Sequence, residues 1–295
     1  MNRQRGIALI QVLLVVGIIG LLMLQMGLTA REQVARAEAL DERAELMLRA
    51  QSEESAILFS MLTQKLLEKP ESENPYAAVW NFAGRPFEVD GVSFMLQDES
   101  GRMQVPQFGS SEFEGLLQRL GVEAGRARRL GEQLLKLQGG RTQSILPVQA
   151  SGEGAAAEGV AYPVQVLDEL RLLPDMDEAL YSRLEPLLTL YPTPGLNLVT
   201  AAPEVLAGRV SGSQLEGVLQ ARQTEQLDQL VFWKLTGQDA DEMTVYYPGP
   251  AVTVNMELKS KEGTVRRQTT FIVRPYLPDP LAEWQRSTVS GGASG

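Results

Sequence analysis

The residues of this chain that could do chemistry are mostly carboxylates, because its 295 residues include neither cysteine nor histidine. That joint absence removes thiolate nucleophiles, Ser-His-Asp triads and the usual zinc and haem ligands. Two carboxylate pairs, Asp175/Asp177 and Asp239/Asp241, have the residue types for acid–base or glycosidase chemistry. Such chemistry needs two acids at a fixed separation across a cleft, and nothing in the sequence fixes one. Solvated acids at helix starts and in loops are the ordinary role of pairs like these. Asp239, Asp241 and Glu242 cluster hard oxygen ligands of the kind calcium takes, although their spacing falls far short of an EF-hand loop. The chain therefore reads as non-enzymatic, with no catalytic residue and no cofactor expected other than calcium at that cluster.

The most informative residues lie at the start. Met1 to Gly6 is a short head with arginines at 3 and 5, and no charged side chain follows until Arg31. At about 1.5 Å per residue, Ile7 to Leu28 is long enough to cross a hydrocarbon core of roughly 30 Å. The flanking charges place the head in the cytoplasm and the bulk of the chain outside. A cleaved secretory signal would have a shorter apolar core and a small-residue cleavage site after it, which Gly27 to Arg31 matches poorly. A plain signal anchor explains the hydrophobicity but not the glycine at the boundary. Arg5-Gly6-Ile7 followed by an uncharged run resembles the processing site of type IV pilins and type II secretion pseudopilins. That resemblance implies a prepilin peptidase cutting after Gly6 and methylating the new N-terminus, Ile7. The net charge of −10 would then become −12, through loss of the two arginines.

Behind the apolar run, Thr29 to about Glu68 has no Gly or Pro and is rich in good helix formers. Leu40, Ala44, Met47, Leu48, Ser55, Leu58, Met61, Leu62 and Leu66 recur at helical spacing. The stripe fits either a coiled-coil stalk or a spine whose second half packs on its own sheet. Leu40, Ala44, Met47 and Leu48 are expected just outside the membrane, before the sheet, and so free to pack on partner helices. Strand patterns come in two separated places. Pro86 to Gln97 reads as a hairpin about Asp90-Gly91; Thr244–Tyr247, Ala251–Lys259 and Thr264–Arg274 lie far downstream. Between them, helices are expected over Phe113–Gly121, Ala124–Leu137, Asp177–Leu190, from a Thr200 cap, Ser213–Arg222 and Gln226–Leu235.

Leu167 to Pro174, Leu180 to Pro186 and Leu196 to Leu206 resemble the helical region of the large minor pseudopilin of type II secretion, the GspK class. Asp98-Glu99-Ser100-Gly101-Arg102-Met103 resembles that family's acidic Gly-Arg element. Val199, Asp175 and the residues around Gly101 depart from the usual pattern. The resemblance implies an α+β, pilin-like fold: a long N-terminal helix packed on a small antiparallel sheet, with a large mainly α-helical domain inserted in the sheet region. The expected division is a leader at 1–6, a transmembrane segment at 7–28 and a discontinuous sheet domain at 29–105 and 243–278. An insert occupies 106–242 and a flexible tail 279–295. Gln11 stands where most pilins and pseudopilins carry a glutamate, thought to neutralise the N-terminal amine of a neighbouring subunit. A neutral side chain there suits a tip subunit, which has no neighbour above, because an unpaired carboxylate in the bilayer is costly.

The expected function is a minor pseudopilin of type II secretion that initiates or caps the pseudopilus. Its expected partners are other minor pseudopilins in a tip complex, a major pseudopilin below, the prepilin peptidase and the inner membrane, with the ectodomain periplasmic. The alternatives are a minor pilin of a type IV pilus and a signal-anchored periplasmic binding module. Nucleic acid is excluded as a partner on charge: residues 106–242 hold 11 Lys and Arg against 19 Asp and Glu, a net of −8.

Overall fold

The computed structural model describes residues 4–66, 72–105, 110–138, 164–224, 227–238, 244–260, 263–275 and 277–292. Helix α1 runs unbroken over Gln4–Thr63. It ends earlier than the composition suggested. Gln64 still donates to the Ser60 carbonyl, and the chain then turns back through Asn74, whose Nδ2 donates to Ser60 Oγ at 3.0 Å.

Strands β1 (Ala83–Val89) and β2 (Val92–Asp98) form the expected hairpin. Its two turn residues, Asp90 and Gly91, both take positive φ (51° and 75°), as a tight turn matched to strand twist requires. The chain then leaves the sheet. It passes through β3 (Met103–Gln104), α2 (Ser110–Arg119), α3 (Ala124–Leu137), α4 (Glu178–Leu184), β4 (Leu188–Thr189), β5 (Leu196–Asn197), α5 (Pro203–Leu206), α6 (Gly212–Gln223), α7 (Gln229–Thr236) and β6 (Thr244–Val245). It returns as β7 (Ala251–Lys259), β8 (Gly263–Val273) and β9 (Leu281–Gly292). The main sheet has the order β1-β2-β7-β8-β9 and is antiparallel throughout. Strand β2 thus pairs with β7 across the whole excursion, with Asp98 opposite Val252.

Three expectations are corrected. The tail is not flexible over Leu281–Gly292: it forms β9, which caps the open edge of the eleven-residue β8. Thr244–Tyr247 does not join the main sheet; Thr244 and Val245 pair in parallel with Leu196 and Asn197. Helix α4 stops at Leu184, because Pro186 lacks the amide hydrogen that would continue it, and Leu188–Thr189 pairs with β3.

Each unit has its own core. The face of α1 that meets the sheet is Ala50, Glu54, Ile57 and Met61, at spacings of four, three and four residues, against Trp80, Phe82, Phe94, Leu96, Val254 and Phe271. The excursion packs around Phe113, Leu116, Leu130, Tyr181, Leu184 and Phe232.

Candidate functional site

The sequence marks three regions for function: the N-terminal helix, the acidic Gly-Arg element and the carboxylate pairs. Gly6 and Ile7 lie within α1, two and three residues after its described start at Gln4. Gln11 sits on the exposed surface of the same helix, in a stretch where Val12, Leu13, Val15 and Val16 are also exposed. This is the one helix among the described residues long and apolar enough to cross a membrane; its window has a mean hydropathy of 2.4 with none of it buried.

The proposed partner stripe divides. Met47 is half-buried against the sheet core beside Leu46, whereas Leu40, Ala44 and Leu48 stay exposed. Helical geometry explains the split: Met47 lies near the angular position of Glu54, and Leu48 is a hundred degrees further round. Ala44, Leu48, Ser55 and Phe59, spaced by four, seven and four residues, share the outward face instead. Leu48 is 71% exposed and Phe59 65%. Phe59 escaped the sequence reading because it falls outside the stripe chosen there, although its spacing from Leu48, close to three whole turns, would have found it.

The acidic element closes the junction between sheet and insert. Asp98 ends β2 and is fully buried. Among the described residues no basic side chain pairs with it. Its Oδ1 accepts from the amides of Ser100 (2.9 Å) and Gly249 (3.0 Å), and its Oδ2 from Asn197 Nδ2 (2.7 Å) and Thr200 Oγ1 (2.9 Å). Burial pushes its carboxyl above the usual range, opposed by those four donors. Glu99, also fully buried, accepts from Thr253 Oγ1 at 2.6 Å and pairs with Arg102 Nη1 at 3.2 Å. Gly101 is required by close approach: a Cβ there would lie 2.5 Å from Thr200 Oγ1 and 2.8 Å from the Thr200 carbonyl carbon. Thr200 is therefore a ligand of Asp98, and the helix it was expected to cap, α5, starts at Ala202 and Pro203 without a side-chain cap.

Asp175 and Asp177 are each engaged by an arginine of α3. Asp175 pairs with Arg129 at 3.2 Å and accepts from Gln133 Nε2 at 2.7 Å; Asp177 pairs with Arg126 at 2.6 Å and caps α4 by accepting from the Leu180 amide. Arg129 and Gln133 hold Asp175 below the ordinary carboxylate range, and Arg126 with the Leu180 amide does the same for Asp177. Asp239, Asp241 and Glu242 lie outside the described residues. Among the described residues, no group of three or more His, Cys, Asp or Glu side chains could hold a metal ion.

A membrane-length helix continuing onto an antiparallel sheet defines a pilin-like α+β protein. The structure resembles a chain of the GspK-GspI-GspJ complex of the enterotoxigenic Escherichia coli type 2 secretion system, with a TM-score of 0.52 at 17% identity over 88% of this chain and 99% of that one. Residues 92–193 match the family described as Type II secretion system (T2SS), protein K. A relative, Type II secretion system protein K from Klebsiella pneumoniae, is 30% identical over 212 residues, 63% of this chain and 62% of that protein's length. The matched span begins at Val92 in β2 and includes Asp98, Glu99 and Arg102 of the acidic element.

Proposed function

We propose that the protein is a minor pseudopilin of a type II secretion system, held in the inner membrane by Ile7–Leu28 with its ectodomain in the periplasm, and that it initiates or caps the pseudopilus. Its role is structural, not catalytic. The observation that carries this reading is α1: an exposed, uncharged apolar half continues without a break into a half packed on the sheet. Removal of residues 1–6 would leave Ile7 as a methylated N-terminus. Gln11, one turn further on, would place no carboxylate in the bilayer where no neighbouring amine could neutralise it. Other minor pseudopilins would pack on the outward face of Ala44, Leu48, Ser55 and Phe59. The inserted helical unit would stand above the filament and obstruct addition of a further subunit, with the major pseudopilin below.

Mass spectrometry of the chain isolated from membranes of cells with a functional prepilin peptidase tests the processing step. The expected N-terminus is methylated Ile7, and Gly6→Val should accumulate uncut precursor, since a side chain at that position obstructs the backbone. An N-terminus downstream of Leu28 would contradict the pilin-like reading. An intact Met1 would favour a signal-anchored periplasmic module.

A further inference from the structure

A cleft of about 430 Å³ opens in the insert between α2, the strand β5 and the turn after α5. Its charge is opposite to that of the molecule. Arg102, Arg119 and Arg209 line it with one carboxylate, Glu112, in a chain of net charge −10. Arg102 is engaged by Glu99, but among the described residues no acid pairs with Arg119. Its Nε donates to the Glu204 carbonyl at 2.7 Å, which fixes the guanidinium and leaves its end-on Nη1/Nη2 pair without a partner among the described residues. The group is half-buried, and desolvation lowers its pKa. A partly desolvated guanidinium with no counter-ion is an unfavourable arrangement unless something arrives to pair with it.

The backbone around that fork is shaped to leave it room. A Cβ on Gly115 would lie 3.2 Å from Nη1, and one on Gly208 would lie 2.8 Å from Nη2. Two buried polar atoms of its lining side chains, Arg102 Nε and Gln104 Oε1, have no hydrogen-bond partner among the described residues. Met103, Leu196 and Val205 supply apolar lining beside these groups. A planar fork binds a planar pair of oxygens best, and the apolar walls and volume suit several residues of chain more than a bare ion.

We infer that this cleft is a binding site for a carboxylate-bearing peptide segment, an acidic side chain or free C-terminus seated end-on against Arg119 with an apolar neighbour on Met103 and Val205. The inference stands on the cleft alone and does not depend on the assembly role proposed above.

The test uses the full chain in detergent and a fluorescein-labelled hexapeptide ending in leucine-aspartate with a free C-terminus, read by anisotropy. The comparison peptide has its terminal carboxyl amidated and the aspartate replaced by asparagine. The acidic peptide should bind saturably and the neutral one should not. Arg119→Lys, which keeps the charge but loses the fork, should weaken binding about ten-fold, the scale of one lost bidentate contact. Because Arg119 also supports the Glu204 carbonyl, Arg209→Gln, at an exposed position lining the same cleft, is the second variant and should also weaken binding while the circular-dichroism spectrum stays unchanged. Equal binding of the two peptides, or unchanged affinity in both variants, would overturn the proposal. Displacement of the peptide by succinate with the peptide's own affinity would also overturn it, in favour of a small free anion.

Discussion

Replacing Asp98 should uncouple the insert from the sheet. The carboxylate accepts two hydrogen bonds from the sheet side, at the amides of Ser100 and Gly249, and two from the insert side, at Asn197 and Thr200. In Asp98→Ala all four donors lose their partner in a site from which water is excluded. A buried donor left unsatisfied costs about 1–3 kcal/mol. Relief from the burial of an unpaired carboxylate offsets part of that sum. A net loss of about 4–6 kcal/mol is therefore expected, a large share of the roughly 5–15 kcal/mol by which a domain is stable. Asp98→Asn keeps the shape but turns one acceptor oxygen into a donor, so about 2–3 kcal/mol is expected.

The two units can be read separately. Trp80 is fully buried in the sheet core and Trp233 lies in α7 of the insert. Urea unfolding of single-tryptophan versions of the full chain should give coincident transitions with Asp98 intact. With alanine at 98 the Trp233 transition should move to lower urea ahead of Trp80. Coincident transitions shifted by less than about 0.5 kcal/mol would refute the argument that this carboxylate joins the two units.

Three further outcomes follow from the same geometry. Glu54, 3% exposed in its side chain, binds Arg267 at 2.8 Å and Thr269 Oγ1 at 2.8 Å, so Glu54→Gln should cost about 3–5 kcal/mol by leaving Arg267 buried without its counter-charge, whereas Glu54→Leu with Arg267→Met should cost far less in the same urea titration. Asp175 and Asp177 have folded pKa values below the unfolded value of 3.8, so their contribution is complete above that value and is lost as pH falls through the folded values; Asp175→Asn with Asp177→Asn should flatten the acid limb of a stability-versus-pH curve below about pH 4. Leu48→Glu with Phe59→Glu should abolish binding to the other minor pseudopilins in calorimetry while leaving the unfolding midpoint unchanged, because both side chains are exposed; full affinity would move the interface elsewhere.

Local signals were legible where the chain's own chemistry decides the structure. Asp90-Gly91 admits the two positive φ values of its turn, and Ala124–Leu137 emerges with the bounds that its helix formers and flanking glycines imply. The uncharged apolar run likewise reads directly as part of one long, exposed helix. What escaped depends on partners far away in sequence. Glu54 looks like a surface charge on a helix until Arg267 and Thr269, more than two hundred residues later, enclose it. Thr200 looks like a helix cap until Asp98 claims its hydroxyl. The Ser- and Gly-rich end looks like a flexible tail, yet the open edge of β8 offers it a full set of backbone partners. The cleft around Arg119 left no sequence signal beyond an arginine on an amphipathic helix, since Gly115 and Gly208 meet it only in the fold.

The central claim, that this chain sits at the end of a pseudopilus, is tested most directly by locating it. An epitope placed after Gly292 and labelled with gold should appear once per overproduced pseudopilus, at one end only. Labels distributed along the filament, or filaments that form normally and carry no label, would contradict the account.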